Sequence, residues 1–353
     1  MKRVIIAAGG TGGHFYPGLV ASRELRVRGW ECLFIVRRDD PNKEKLQAES
    51  VPFVEADLRG LPRSLSLDLL RFPLRLAGAQ RLMTKVVRDF RPDLVVGMGG
   101  YLTFPLVLAA RCRRVPAALH ESNSVLGLAN RASALLGAEV YWGLPPREGG
   151  GAVVGTPVRA ELLQLPARED ACRRFGLDPA KPVLLVFGGS QGAQALNRGV
   201  PLALRALPSH PQVLHLAGRG KAEETARLYG AAPAVVRDYT EDMAAAYAAA
   251  DLVVCRSGAS TLSELAATRK PAVLVPYPHA ADDHQTANAR VFQAAGAAVL
   301  LPESALERKL GGVVSDVLKS RLKDTMAAAY ARLELPDART AAKAFVDALE
   351  KTR

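Results

Sequence analysis

Gly9-Gly10-Thr11-Gly12-Gly13-His14 crowds four glycines against a histidine, directly after the apolar run Val4–Ala8. Glycines let backbone N–H groups close on an anionic group, and the dipole of a following helix favours that anion. His14 adds a side chain that titrates near neutrality, the property required of a general base. The cluster does not fit the spaced Gly-x-Gly-x-x-Gly of nicotinamide binding, since counting from Gly10 puts Phe15 at the last glycine position. Nor does a Gly-Lys-Ser/Thr follow, as a P-loop requires. The competing reading is a tight strand-to-helix turn that holds no ligand. Gly97-Met98-Gly99-Gly100-Tyr101 is a second glycine-rich edge, and by itself it is equally a packing turn or a binding loop. His120-Glu121-Ser122-Asn123, after the apolar Ala117–Leu119, lines up four hydrogen-bonding side chains where a strand should end. Such a row suits acceptor binding or base chemistry, although Ser122 or Asn123 could equally cap a helix starting near Val125.

The second half offers a parallel set. Gly188-Gly189-Ser190-Gln191-Gly192-Ala193 repeats the strand–loop–helix logic, with Ser190 as a hydroxyl donor to a diphosphate. In Arg256-Ser257-Gly258-Ala259-Ser260-Thr261-Leu262-Ser263-Glu264, the carboxylate of Glu264 lies about a turn into a helix, where it could take two vicinal hydroxyls such as those of a ribose. The alternative is a capping box with Thr261 as cap and Glu264 as its partner. Pro276-Tyr277-Pro278-His279, then Asp282-Asp283-His284-Gln285 and Asn288, form a polar loop of the kind that reads a sugar, or a solvated surface loop. His279 and His284 match no zinc spacing, no cysteine is near, and the sequence has no Asp-x-Asp, so no metal and no cofactor is expected.

These residues need elements to hold them. Runs at Val4–Ala8, Leu33–Val36, Leu94–Val96, Ala117–His120 and Val140–Trp142 read as buried strands of a first half. Val183–Phe187, Val213–Leu216, Leu252–Cys255 and Ala272–Pro276 read as those of a second. Continuous apolar runs alternating with helices predict parallel strands covered on both faces, hence an α/β protein with two Rossmann-like doubly wound domains facing a cleft. In such sheets ligands bind outside the carboxyl ends of the strands. At 353 residues the chain has room for two domains, set here at 1–157 and 158–336, with a linker rich in Pro and Gly through Pro145–Pro157. The Ala-rich stretch 337–353 follows Pro336 and reads as a helix returning to the first domain.

Composition excludes several classes. With 49% hydrophobic and 23% charged residues, the chain is neither disordered nor fibrous. Its four cysteines are far apart, which argues against a disulfide framework and suits a reducing compartment. No apolar run reaches the roughly 18 residues of a membrane helix. The start, MKRVIIAAGG, reads as a short buried strand rather than a leader. The net charge is +12, and residues 59–114 alone carry 11 Lys+Arg against 3 Asp+Glu. Within Leu65–Lys85, Leu67, Leu69, Leu70, Phe72, Leu74 and Leu76 mix with Arg71, Arg75, Arg81 and Lys85. This reads as a surface resting on anionic lipid or as an amphipathic helix with its apolar face buried.

Taken in order, GGTGGHFYPGL, GMGGY, HESN, TPVR, GGSQGA, DMAAAYAAADLVVCRSGASTLSEL and HQTANA resemble the MurG-type N-acetylglucosaminyltransferases of bacterial peptidoglycan synthesis. The seven stretches run from Gly9 to Ala289. The resemblance implies a glycosyltransferase B-type fold. The implied reaction is inverting transfer of N-acetylglucosamine from UDP-N-acetylglucosamine to the muramoyl 4-hydroxyl of lipid I, giving lipid II at the inner face of the cytoplasmic membrane. It further implies that the second domain holds the donor. Ser190 and Gln191 would meet the diphosphate and sugar, Arg159 the phosphate region and Glu264 the ribose hydroxyls. Ala259, Ser260 and Thr261, with Leu262 and Ser263 next to them, would face the diphosphate, and Gln285 the sugar hydroxyls. The stretch from Tyr239 through Thr240 to Met243 would line the uracil pocket. Thr240 stands where the family often has an aliphatic residue, so its expected contact is through the backbone. In the first domain Thr11, Gly12, Gly13, Tyr101, His120, Glu121 and Asn123 would cradle the acceptor diphosphate and the sugar. Ser122 stands where the family pattern His-Glu-Gln-Asn has Gln. His14 is the expected base and Glu121 the alternative.

Three other functions compete. A UDP-N-acetylglucosamine epimerase would share fold class and donor but needs no lipid-facing surface. A nicotinamide dehydrogenase lacks its fingerprint. A nucleic-acid binder would explain the charge, but aromatics make up only 6% and do not interleave with the basic stretch, so no nucleic-acid partner is expected.

Overall fold

The computed structural model describes residues 1–9, 12–58, 60, 67–189, 191–205 and 207–352, with side chains for all of these except 12 and 67–70. The chain divides into two compact units: Met1–Arg159 with Leu335–Arg353, and Ala160–Glu334.

The first unit is built on β1 (Arg3–Ala7), β2 (Glu31–Arg37), β3 (Phe53–Ala56), β4 (Leu94–Gly97), β5 (Ala117–Glu121), β6 (Glu139–Trp142) and β7 (Ala152–Val153), joined in the order β3-β2-β1-β4-β5-β6-β7. The second has β8 (Val183–Phe187), β9 (Gln212–Leu216), β10 (Ala234–Arg237), β11 (Leu252–Cys255), β12 (Ala272–Leu274) and β13 (Ala298–Leu300), in the order β10-β9-β8-β11-β12-β13. All pairings are parallel. Both are doubly wound Rossmann-like sheets in which the strand order reverses between the first strand and the fourth of its unit, so the ligand crevice opens there. The central strands are buried apart from Arg3 at the start of β1, with Ile5, Val95 and Leu184 fully enclosed, and helices cover both faces.

The helix Ala341–Leu349 returns to the first unit and packs on the helix Gly12–Val27. Phe345, Val346 and Leu349 join the same core as Val4, Phe15 and Phe34. Around them Arg28 pairs with Asp347 and Glu350, and the Tyr141 hydroxyl donates to the Ala348 carbonyl at 3.0 Å. No helix among the described residues is long and apolar enough to cross a membrane.

Candidate functional site

In the first unit the reversal point lies between β1 and β4, where Ala7 pairs with Gly97. The loop from β1 runs into the helix Gly12–Val27, and Gly9 is closely enclosed: a Cβ there would lie 3.1 Å from the Arg37 nitrogen and from Leu102. Gly12 and Gly13 open that helix; Thr11 lies outside the described residues. Beyond β4, Gly99 and Gly100 hold φ of 100° and 79°, and the His14 ring fills the space beside them. A Cβ on Gly99 would lie 2.9 Å from the His14 ring, so the two glycine loops and the histidine form one surface. His14 is half-buried and hydrogen-bonded to the Gly9 backbone. Burial lowers its pKa below the usual histidine value; the negative charge of Glu121 and the bond to Gly9 act in the opposite direction. Tyr101 stands at the edge, its ring against the Gly60 backbone and 39% exposed.

Glu121 ends β5, and both its carboxylate oxygens are engaged within the unit. Oε1 accepts from the Asn123 backbone N–H at 3.0 Å and side chain at 2.9 Å. Oε2 accepts from the Gly127 N–H at 3.0 Å and the Asn130 side chain at 2.9 Å. The carboxylate thereby fixes the whole 121–130 turn. His120 points the other way. Its Nε2 meets the Gly155 carbonyl at 2.9 Å, its Nδ1 meets the Ser122 hydroxyl at 3.2 Å, and its ring packs edge-on to Phe345 at 4.9 Å. Fully buried, it has its pKa lowered by that burial. Thus of the expected acceptor-side residues, the structure brings together His14, Gly13, the glycines of the β4 turn and Glu121, and it turns His120 toward the C-terminal helix. Arg159 lies over the Tyr16 ring at 5.2 Å, on the helix that carries His14.

In the second unit the reversal point lies between β8 and β11. After β8, Gly189 and Gly192 hold φ of 89° and 68°, and a Cβ on Gly192 would lie 1.9 Å from the Ala217 carbonyl oxygen. The loop is thus pressed onto the end of β9, and Lys221 Nζ fixes it by donating to the Gln191 carbonyl at 2.8 Å. Gln191 is exposed; Ser190 lies outside the described residues. After β11 the helix Ala259–Thr268 begins from Gly258, in extended conformation, with no side-chain cap. The capping box on Thr261 is therefore not formed, because the helix starts two residues earlier. The N–H groups of Ala259, Ser260 and Thr261 fall in the first turn, where no intrahelical acceptor exists. Leu262 is fully buried and its N–H bonds to Gly258, while the Ser263 hydroxyl donates back to the Ala259 carbonyl at 2.9 Å. Neither side chain reaches outward.

Glu264 is half-buried, and its Oε2 accepts a hydrogen bond from the Tyr247 hydroxyl at 3.0 Å. Thr240 is buried, its hydroxyl accepting from the Asp242 N–H at 3.2 Å; Asp242 then caps the helix Met243–Ala249, which opens with half-buried Met243. Gln285 lies in the first turn of the helix His284–Ala295, and its Oε1 accepts from the Tyr277 N–H at 2.9 Å. Arg256 is buried behind this loop, donating to the Val275 and Pro276 carbonyls at 3.1 Å and pairing with Glu303. Tyr247, Arg256 and Lys221 were not singled out by sequence. Tyr247 is one aromatic in an alanine run, and only Arg256 carried a signal, as the residue opening a recognised turn. Among the described residues no group of three or more His, Cys, Asp or Glu side chains is gathered as a metal site would require.

The glycosyltransferase family 28 N-terminal domain matches residues 4–141 and the family 28 C-terminal domain residues 183–345. The UDP-N-acetylglucosamine–N-acetylmuramyl-(pentapeptide) pyrophosphoryl-undecaprenol N-acetylglucosamine transferase of Ectopseudomonas mendocina is 42% identical over 344 residues, covering 95% of each chain. The chain belongs to glycosyltransferase family 28. The like-named family member of Elusimicrobium minutum is 36% identical, covering 99% of each chain. The crystal structure of Acinetobacter baumannii MurG superposes with a TM-score of 0.80 at 31% identity over 100% of both chains, so the family's B-type fold is that of this chain too. A UDP-GlcNAc 2-epimerase from Neisseria meningitidis also superposes, with a TM-score of 0.67 over 100% of both chains. At 13% identity this likeness is one of fold alone.

Proposed function

We propose that this chain moves N-acetylglucosamine from UDP-N-acetylglucosamine to the muramoyl 4-hydroxyl of the undecaprenyl-diphosphate-linked muramoyl peptide, lipid I, giving lipid II with inversion at the anomeric carbon. The observation that carries the proposal is the 42% identity, over 95% of both chains, to a transferase named for that donor and acceptor. The site chemistry agrees with it.

The second unit takes the donor. The first-turn N–H groups of Ala259, Ser260 and Thr261 meet the diphosphate, and the loop of Ser190 and Gln191 adds donors; Arg159, expected at the phosphate region, belongs instead to the first unit. Glu264 accepts from the two ribose hydroxyls, and the backbone from Thr240 to Met243 lines the uracil. The oxygen of Gln285 holds Tyr277, so its NH2 end is the part that reads the sugar. As the glycosidic bond breaks, charge grows on the departing UDP, and preoriented N–H dipoles stabilise that charge without a metal.

The first unit takes the acceptor. Gly12, Gly13 and the Thr11 loop receive its diphosphate, with Tyr101 and Asn123 at the margin. His14 accepts the proton of the 4-hydroxyl as its oxygen attacks the anomeric carbon. Burial favours the neutral imidazole that this step needs. Glu121 orients the loop beside it and favours the imidazolium that forms. The helix Leu67–Phe90 packs Phe72 and Leu76 against the core, so of that patch Leu74, 75% exposed between Arg71 and Arg75, is what would meet anionic lipid and keep the enzyme peripheral at the cytoplasmic face.

The test is incubation with radiolabelled UDP-N-acetylglucosamine, a short-chain lipid I analogue and EDTA. Label entering the lipid product supports donor, acceptor and metal independence together. Turnover of the UDP-sugar without acceptor, and no transfer with it, would indicate an epimerase instead.

A further inference from the structure

Tyr247 lies outside every loop that faces a ligand, yet it makes one polar contact of consequence. It is fully buried in the helix Met243–Ala249, four residues beyond the segment assigned to the base, and its ring packs edge-on to Phe187 at the end of β8. Its hydroxyl donates to Glu264 Oε2 at 3.0 Å. Glu264 itself stands on the helix after β11 and is half-buried. A glutamate has three rotatable side-chain bonds, so a carboxylate that must present itself to two vicinal hydroxyls gains from a fixed partner behind it. An alanine at position 247 would have served helix formation better than tyrosine, and the neighbouring helix positions are indeed alanine.

We propose that Tyr247 is a positioning residue for the donor's ribose: its hydroxyl fixes the Glu264 carboxylate in the orientation that accepts both ribose hydroxyls. This inference rests on the assignment of Glu264 to the ribose. The phenol suits the task because burial and the nearby carboxylate hold its pKa well above the usual tyrosine value, so it stays a donor across the working pH range. It also links the helix that follows the nucleobase segment to the helix that meets the diphosphate. One nucleoside is thereby read by two elements held in register.

The experiment compares Tyr247→Phe, Glu264→Gln and the double variant, with UDP-N-acetylglucosamine and its 2′-deoxyribose analogue as donors. Tyr247→Phe removes one oxygen and keeps the ring, and a thermal melt confirms that the variant is folded. The expected result is a rise in donor KM of about tenfold, the effect of losing a hydrogen bond to a charged group, with a smaller change in kcat. The preference for the ribose donor over the deoxy donor should fall toward that of Glu264→Gln, and the double variant should be little worse than Glu264→Gln alone. A role in packing alone would lower the melting point and leave the donor preference unchanged, which would overturn the proposal. If Glu264→Gln itself leaves donor KM and ribose preference unmoved, the ribose assignment fails. If Glu264→Gln moves both and Tyr247→Phe moves neither, only the role of Tyr247 fails.

Discussion

A base must be neutral before it can accept a proton, and burial beside the Gly99–Gly100 turn holds His14 in that form. A lowered histidine pKa moves the acid limb of kcat/KM below pH 6.5, so activity should persist into mildly acidic buffer; a pH–rate profile checks this. His14→Gln should lower kcat by about 100- to 10,000-fold with little change in melting point. Glu121→Gln should behave differently. All four bonds to its carboxylate come from N–H donors, so an amide NH2 in that place faces donors on at least one side. The expected loss is about 2–3 kcal/mol of stability together with activity, read from denaturant midpoints beside kinetics. This contrast separates two residues that the sequence left as alternatives. Both stand in polar motifs at loop edges, and the four hydrogen bonds to Glu121, which no local motif shows, set the two expectations apart. For His120 the deciding neighbour is Phe345, far away in sequence and invisible to any local motif.

The strands show where sequence patterning stops. Every run read as a strand is one, within two residues at its ends, and each lies inside its sheet. The strands that were not anticipated are β3, β7, β10 and β13, and these are the four outer strands of the two sheets. An outer strand has a neighbour on one side only, and these are short and half-exposed, with Ala152, Val153 and Arg237 largely outside the core. The continuous apolar run that marks a buried parallel strand is therefore missing. Turn chemistry was easier to read, because glycine takes the positive φ of Gly99 and Gly192 without strain, and at Gly192 a Cβ would strike the Ala217 carbonyl oxygen. Two adjacent glycines in the helix Leu306–Lys319 make a test at this scale. A Cβ on Gly311 would lie 2.7 Å from the Ala203 carbonyl oxygen, whereas one on Gly312 meets nothing within 4 Å. Gly312→Ala should stabilise the second unit by about 0.5–1 kcal/mol. Gly311→Ala should destabilise it, since the helix must shift from its neighbour to admit the methyl group. Urea melts of the two variants give the sign of each.

Across the whole chain, two compact units and one returning helix set the pattern of unfolding. Phe345, Val346 and Leu349 complete the core around β1 and β2, so the last residues of the chain belong energetically to its first strand. Phe345→Ala should cost about 3–5 kcal/mol and lower the transition of the first unit, leaving that of the second in place; differential scanning calorimetry resolves the two. Acid should act on both units through different histidines. His215, bonded to Tyr229 at 2.8 Å and Asn197 at 3.1 Å within the second core, has its pKa driven down to about 3 by burial. His120 is shifted in the same direction in the first. A depressed histidine binds its proton in the unfolded chain before it does so in the folded one. Its contribution is therefore intact above about pH 6.5 and is lost as pH falls, at up to about 1.4 kcal/mol per pH unit for each such group, down to about pH 3 for His215. Denaturant midpoints at pH 7, 6, 5 and 4 should fall progressively in both units. A midpoint for the second unit that stays flat from pH 6 to 4 would mean that His215 accepts a proton without losing its partners, and the buried His215–Tyr229–Asn197 cluster would then not be what ties that unit's stability to pH.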